Sequence, residues 1–176
     1  SAAAEDAVGH GTFVAGMVAA GGKFCPGVAP GAEVVALRVF SGSAVSFTSW
    51  FLEAFNWVLA NDIDVVNLSI GSPDFADAPF LDKVNEVVAA GIVFVSAVGN
   101  DGPVWGSHNN PADMPAVIGV GGADASESSL AAFSSRGFTS PAASCRASPG
   151  PCTPRIKPDL VTPARSLLAA DRARAP

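Results

Sequence analysis

A histidine flanked by glycines, His10, is the first residue of this sequence whose type and surroundings are suited to chemistry. Gly9 and Gly11 leave room for a substrate or another chain segment to approach the imidazole closely. The small and apolar residues 14–19 predict a tightly packed helix that begins at the histidine. Because the positive end of a helix dipole disfavours imidazolium, His10 would stay neutral, as a general base must. The alternative is a structural histidine at a helix start.

A second candidate, Asn100, stands in a glycine-rich loop that follows an apolar segment, residues 92–97. Gly99 and Gly102 on either side allow the tight turns that present a side chain at a strand end. An amide held there can donate a hydrogen bond to an oxygen that gains negative charge during acyl transfer. The alternative is an ordinary turn asparagine before Asp101 and Gly102.

The third candidate is the end of another apolar segment, where Ser69, Ile70 and Gly71 stand in a row. Backbone groups exposed at such a strand end can pair with an extended peptide, which then adds as a further strand. The alternative is a strand end that binds nothing. Asn67 also begins a glycosylation sequon, but its place in a buried strand predicts that it is unmodified.

The elements that must position these residues alternate between strands and helices. Short β-branched and apolar runs predict strands, and apolar residues at three- and four-residue spacing predict helices. The strands are expected over 33–40, 65–70, 92–97 and 117–120, and the helices from His10, from near 48–49, and from Pro79 to Gly91. This alternation predicts a parallel α/β sheet, whose ligands bind outside the carboxyl ends of its strands.

Length, composition and charge exclude several classes of protein. The 176 residues are 49% hydrophobic and 15% charged, which excludes extensive disorder and suits one domain or a part of one. The net charge of −6 argues against a nucleic-acid partner, because phosphates require a basic face. We expect no membrane-spanning segment, because no apolar run of about 18 residues is present, and no signal peptide is visible.

The end of the sequence differs from the rest. Residues 1–135 hold three basic and 14 acidic side chains, whereas residues 136–176 hold seven basic and two acidic ones. From about residue 139 the sequence turns to Ser, Pro, Ala and Arg, which predicts loop or poorly ordered chain.

The three cysteines give no framework for the fold. They are too few for a disulfide scaffold and lack the spacing of a metal site. Cys25 is expected to be a buried or free thiol, and Cys145 and Cys152 would close a small loop only in an oxidising compartment.

Six motifs taken together resemble the sequence blocks of the subtilisin-like serine proteases. Their order and spacing are those of the family, densely over residues 9–137 and again over 157–163. The blocks are HGT with VAG from His10, VAP from Val28, VVNLSIG from Val65, SAVGN from Ser96, AFSSRG from Ala132 and KPDLV from Lys157. The resemblance implies a three-layer α/β fold with a central, mostly parallel sheet flanked by helices. It also implies an incomplete peptidase domain over 1–163 and a basic tail over 164–176, which we expect to be disordered.

The resemblance implies a role for each matching residue. His10 would be the base of a catalytic triad, and Asn100 would donate to the oxyanion. The substrate cleft would lie between two strand ends: Ser69, Ile70 and Gly71 would pair with substrate backbone, and Ala97, Val98 and Gly99 would form the opposite wall of the primary specificity pocket.

Within the family, several segments most resemble the site-1 protease branch of membrane-bound proprotein convertases: residues 38–40, 47–52, 72–75, 101–103 and 109–113. This implies protein or peptide substrates bound in extended form, an arginine upstream of the cleaved bond, and a place in the Golgi, the endoplasmic reticulum lumen or elsewhere in the secretory pathway. Calcium is an expectation of the family alone, because no Asp-rich loop is legible in the sequence.

Two groups that a serine protease needs are not found in matching motifs. These are the aspartate that fixes the histidine tautomer and the nucleophilic serine. Asp6 lies in no Asp-Thr/Ser-Gly motif, and Ser166 has no neighbouring glycine and opens no nucleophile motif. We therefore expect the middle part of a serine endopeptidase domain, which does not hydrolyse peptides by itself.

Two other functions fit parts of the sequence. A catalytically inactive module that holds peptides along residues 69–71 stays open as an alternative. A nucleotide-binding domain is suggested by Gly119, Gly121 and Gly122, but the position where that motif requires its last glycine is Asp124. The nucleotide-binding hypothesis is therefore rejected.

Overall fold

The computed structural model describes residues 5–124, 129–140, 153–164 and 169. The chain divides into two compact units, one formed by Ser1–Ala54 with Ser166–Pro176 and the other by Phe55–Arg165. The division falls inside the second helix, α2 (Thr48–Leu59).

The first unit is built around helix α1 (His10–Ala19), which begins at the histidine as predicted. Gly9 before it has a left-handed backbone with φ of 92°, which a glycine adopts without a steric penalty. The chain returns across the helix end, where the N–H of Val28 donates to the carbonyl of Met17 at 3.0 Å. Gly27 allows this approach, because a Cβ there would lie 2.5 Å from the backbone nitrogen of Ala19.

The predicted strand over 33–40 is wrong. The segment has no strand structure, and Val34, Val35 and Leu37 are 45%, 46% and 38% exposed. A β-branched run supplies only propensity, whereas a strand also needs a neighbour to take up its backbone hydrogen bonds. Within the described residues no strand pairs with this segment.

The second unit holds a four-stranded, wholly parallel sheet that confirms the predicted α/β class. In chain order its strands are β1 (Val65–Leu68), β2 (Val93–Ala97), β3 (Ile118–Ala123) and β6 (Leu160–Pro163), which also lie side by side in this order. Two short antiparallel strands, β4 (Gly137–Phe138) and β5 (Ile156–Lys157), form a separate pair.

Helix α3 (Ala78–Ala89) packs on this sheet and has the ends that the sequence predicts. The carboxylate of Asp77 caps it by accepting from the N–H of Phe80, proline occupies its first turn, and Gly91 after its end has φ of 89°. Phe80 meets Phe55 and Phe94 in the core, with the ring of Phe55 5.9 Å from that of Phe80 and 5.5 Å from that of Phe94. These aromatic contacts fix the helix layer against β2.

Strand β6 lies in the segment that composition predicted to be loop. The side chain of Lys157 is fully buried just before it, and its Nζ donates to Asp159 Oδ2 at 2.5 Å and to the carbonyl of Val117 at 2.6 Å. Asp159 Oδ2 also accepts from the N–H of Gly119 at 2.8 Å. This network ties the start of β6 to β3. Of the predicted tail, residues 165–168 and 170–176 lie outside the described residues, as do Cys145 and Cys152.

Candidate functional site

His10 is the first residue of α1, after a turn that is closed by a carboxylate. Asp6 Oδ1 accepts from the N–H groups of Val8 at 2.9 Å and Gly9 at 2.7 Å. Asp6 Oδ2 accepts from the N–H of Thr12 at 2.9 Å and from its hydroxyl at 2.7 Å. These hydrogen bonds hold the pKa of Asp6 far below its ordinary value, with the one from Gly9 contributing most. Both oxygens therefore serve the turn around His10.

The two predicted walls of the substrate cleft follow neighbouring parallel strands. Leu68 at the end of β1 is in register with Ser96 in β2, and the hydroxyl of Ser96 donates to the carbonyl of Leu68 at 3.0 Å. Residues 69–71 and 97–99 continue from these positions, so the structure brings the two segments together at the carboxyl edge of the sheet. This is the edge where ligands of open parallel sheets bind.

A residue that the sequence analysis did not select, Asn109, lies between the two walls. Its backbone N–H donates to the carbonyl of Val98 at 2.8 Å. A Cβ at Gly71 would lie 2.8 Å from the Cβ of Asn109, and a Cβ at Gly99 would lie 2.6 Å from its Nδ2. In the sequence Asn109 stands out only as part of the segment 109–113 that resembles the site-1 branch, and its position between the walls is visible only in the fold.

The side chain of Asn109 is buried, and only one of its two polar atoms has a hydrogen-bond partner within the described part of the chain. Its Nδ2 donates to Asp101 Oδ2 at 3.3 Å, whereas its Oδ1 has no hydrogen-bond partner within the described part of the chain. The residue is 9% exposed, so very little of it is in contact with solvent.

Asn100 is exposed on a loop whose backbone is held on both sides. Gly99 before it has φ of 109°, and its carbonyl accepts from the N–H of Ser135 at 3.1 Å. The N–H of Asp101 after it donates to Ser135 Oγ at 3.0 Å. Ser135 itself is buried, so it gives the loop a fixed support. The arrangement leaves the amide of Asn100 at the surface, where it can donate to a bound group.

The predicted site residues are divided between the two units. His10 belongs to the first unit, while the two cleft walls and Asn100 belong to the second. Neither Asp6 nor Ser166 matches the motif of a missing triad group: Asp6 is engaged in the turn described above, and Ser166 lies outside the described residues. The roles of these residues stay predictions.

A cavity of about 490 Å³ in the second unit is separate from the predicted site. Its lining combines aromatic and polar side chains: Phe75, Gly106, His108, Phe138, Thr139, Ser140 and Pro154. None of the predicted site residues is among them. Because the candidate catalytic and binding residues lie at the strand ends, the functional site is assigned to the strand ends and not to this cavity.

Metal centres and membrane spans can be assessed for the described residues. In residues 5–124, 129–140, 153–164 and 169, no group of three or more His, Cys, Asp or Glu side chains is placed to hold a metal ion. Across those same residues, no helix is both long and apolar enough to cross a membrane. Calcium therefore stays an expectation from the family resemblance.

Known proteins of one family match this chain. The family model described as the subtilase family matches residues 1–175. The membrane-bound transcription factor site-1 protease of Rattus norvegicus is 54% identical over 158 residues, which make up 90% of this chain and 14% of that protein. Subtilisin-like protease SBT6.1 of Arabidopsis thaliana is 49% identical over 166 residues, which make up 94% of this chain and 15% of that protein.

Solved structures agree with these relatives. The structure of sphericase superposes with a TM-score of 0.67 at 28% sequence identity, covering 73% of this chain and 45% of that one. The chain spans only a small part of the length of the curated relatives, 14% and 15% for the two above. Because the family match runs along nearly the whole chain and the parallel sheet agrees with it, this chain belongs to the subtilase family of subtilisin-like serine proteases.

Proposed function

We propose that this chain is the central part of a serine endopeptidase that processes proproteins in the manner of the site-1 proteases. The observation that carries the proposal is the carboxyl edge of the sheet. There the parallel ends of β1 and β2 are tied through Ser96 and Leu68 and lead into residues 69–71 and Asn100. Such an edge offers backbone to an extended peptide beside an amide donor.

The chemistry assigns one task to each group. An extended substrate pairs with the backbone of residues 69–71, and its side chain before the cleaved bond lies between the two walls. His10 accepts the proton of a serine hydroxyl as the serine oxygen attacks the peptide carbonyl, and Asn100 donates to the resulting oxyanion. The bond to the leaving amine then breaks as His10 returns the proton to its nitrogen.

The serine and the aspartate of the triad have no matching motif in residues 1–176. We therefore propose that the complete protein supplies both and that the isolated chain does not hydrolyse peptides. The name of the relative in Rattus norvegicus supports a membrane-bound protease, and the resemblance to the site-1 branch supports a place in the secretory pathway and lumenal protein substrates. By the same resemblance, the preferred substrates carry an arginine upstream of the cleaved bond.

A fluorophosphonate probe tests this proposal, because it labels only an activated serine. The complete protein, expressed from its whole coding sequence, should be labelled and should cleave a peptide that carries Arg and a downstream Leu. The isolated 1–176 chain should do neither. Specific labelling of the isolated chain would show that it contains a working nucleophile and would contradict the proposal.

A catalytically inactive peptide-binding protein is the second candidate. It is favoured by one observation: residues 69–71 follow the end of a strand paired in parallel with its neighbour, so they can offer backbone to an extended peptide whether or not a nucleophile is present. This candidate predicts that the complete protein binds an extended peptide, measured by fluorescence anisotropy, while remaining unlabelled by the probe. Labelling of the complete protein would exclude it.

A further inference from the structure

The turn before His10 is organised by one carboxylate. Asp6 accepts four hydrogen bonds from the stretch that follows it, at 2.7 to 2.9 Å. The helix start also packs on this group, because a Cβ at Gly11 would lie 3.6 Å from Asp6 Oδ2. A single side chain thus contacts the segment on both sides of the histidine.

The hydrogen bonds bracket His10 in sequence. One anchors Gly9, the residue before it, and two anchor Thr12, two residues after it. Gly9 has φ of 92°, and its carbonyl accepts from the N–H of Phe13 at 3.1 Å, which closes the first turn of the helix. With both flanks fixed, the direction in which the Cα–Cβ bond of His10 leaves the helix start is fixed as well.

We propose that Asp6 is a positioning residue for His10: its carboxylate holds Gly9 and Thr12 and thereby sets the direction of the imidazole. This inference rests on the proposed role of His10 as the general base. Asp6 acts through the backbone and not on the substrate, so it replaces neither of the missing triad groups.

The chemistry of the turn explains why a carboxylate is required. All four partners are donors, and hydrogen bonds to an ionised acceptor are stronger than those to a neutral one. An asparagine would keep one acceptor oxygen and would turn an NH₂ group towards either the Val8 and Gly9 donors or the Thr12 donors. Asp6→Asn therefore loses part of the turn while changing the volume of the side chain very little.

The test compares Asp6→Ala and Asp6→Asn with a matched control, Asp77→Ala, in the complete protein. Asp77 caps α3 by accepting from the N–H of Phe80 at 3.2 Å, so its loss is also the loss of a helix cap. The turnover of a peptide substrate and its KM are measured separately, beside the melting temperature of each variant.

We expect Asp6→Ala to lower kcat by about 10- to 100-fold with little change in KM, because a misdirected base slows chemistry and leaves substrate binding intact. The kcat of Asp6→Asn should lie between those of Asp6→Ala and the wild type. Asp77→Ala should lower the melting temperature and leave kcat unchanged. Equal effects of Asp6→Ala and Asp77→Ala on kcat would overturn the inference.

A second pair of variants covers the case in which Asp6→Ala does not fold. Thr12→Val removes one donor of the turn and should lower kcat. Thr12→Ser keeps the hydroxyl donor and should have the kcat of the wild type. His10→Ala separates the two proposals. If that variant keeps wild-type activity, the proposed function fails. If it is inactive while Asp6→Ala and Thr12→Val are fully active, only the role of Asp6 fails.

Discussion

Gly99 should tolerate no side chain, because it combines an unusual backbone with close packing. Its φ of 109° costs an L-residue about 1–3 kcal/mol. A Cβ would also lie 2.6 Å from Asn109 Nδ2 and 2.9 Å from Ser135 Oγ. Neither neighbour moves freely, since Asn109 is buried and Ser135 Oγ accepts from the N–H of Asp101. Overpacking of this kind adds about 1–3 kcal/mol.

Gly91 provides a matched control for the backbone part of this cost. Its φ is 89°, and nothing lies within 4 Å of a Cβ built on it. Gly91→Ala therefore bears the backbone penalty alone, and Gly99→Ala bears the same penalty together with the steric one. The difference between the two variants should be about 1–3 kcal/mol in the free energy of unfolding.

Equilibrium unfolding in urea, applied to both variants of the complete protein, measures this difference. Peptide cleavage supplies a second readout, because a displaced Gly99 moves Asn100 and one wall of the cleft. Gly99→Ala should lose turnover as well as stability, whereas Gly91→Ala should lose stability alone. Equal unfolding free energies for the two variants would refute the packing described around Asn109.

Three further predictions concern groups that hold the sheet together. Ser96→Ala removes the buried hydrogen bond to the carbonyl of Leu68 and should cost about 1–3 kcal/mol in urea unfolding; an unchanged midpoint would contradict that coupling. Lys157→Met leaves Asp159 without its buried partner and should cost about 2–4 kcal/mol, less than a fully buried pair because Asp159 is 22% exposed; a more stable variant would contradict this estimate. Burial raises the pKa of Asp113 in the folded protein above its ordinary value of 3.8. The neutral carboxyl therefore favours the folded state below pH 3.8, and this contribution to stability is lost as the pH rises through the raised pKa. Asp113→Asn should therefore raise the melting temperature at pH 7 and have a smaller effect at pH 3.5, and the opposite order would contradict the assigned direction.

The sequence was sufficient for the elements whose signals are local. Proline in the first turn of α3 and Gly91 after its end act through their own backbone preferences, so the helix could be placed before its neighbours were known. The strands β1, β2 and β3 are apolar runs between turn residues, and the alternation of strands and helices along the chain up to β2, with α2 before β1 and α3 after it, made the parallel arrangement predictable.

Elements that depend on a partner were not predictable in the same way. Residues 33–40 have the composition of a strand but no strand neighbour within the described part of the chain. Conversely, β6 is short, follows Pro158 and ends at Pro163, yet the buried Lys157 network holds it beside β3. At both places a tertiary contact decides whether a strand forms, and composition does not reveal that contact.

The residues of the candidate site also differ in whether the local sequence or only the tertiary contacts reveal them. His10 and Asn100 stand in specific motifs, so their residue types and neighbours were enough to select them. Asp6 is recognised by its hydrogen bonds to a turn and Asn109 by its closeness to two glycines, and the sequence neighbours of both residues carry no sign of this. A residue whose role is to hold others becomes visible only when the distances are known.

If His10 is the general base of a serine endopeptidase, its loss must abolish peptide turnover, and the chain offers a control because it contains two histidines. The decisive measurement is peptide turnover by the complete protein with His10→Ala and, in parallel, with His108→Gln. His108 is buried, its Nε2 is hydrogen-bonded to the carbonyl of Phe138, and it is not one of the predicted site residues. His10→Ala should lower kcat by about 10⁶-fold, the loss that subtilisin shows without its histidine, while folded His108→Gln keeps its turnover. Wild-type turnover in His10→Ala would show that His10 is not the general base.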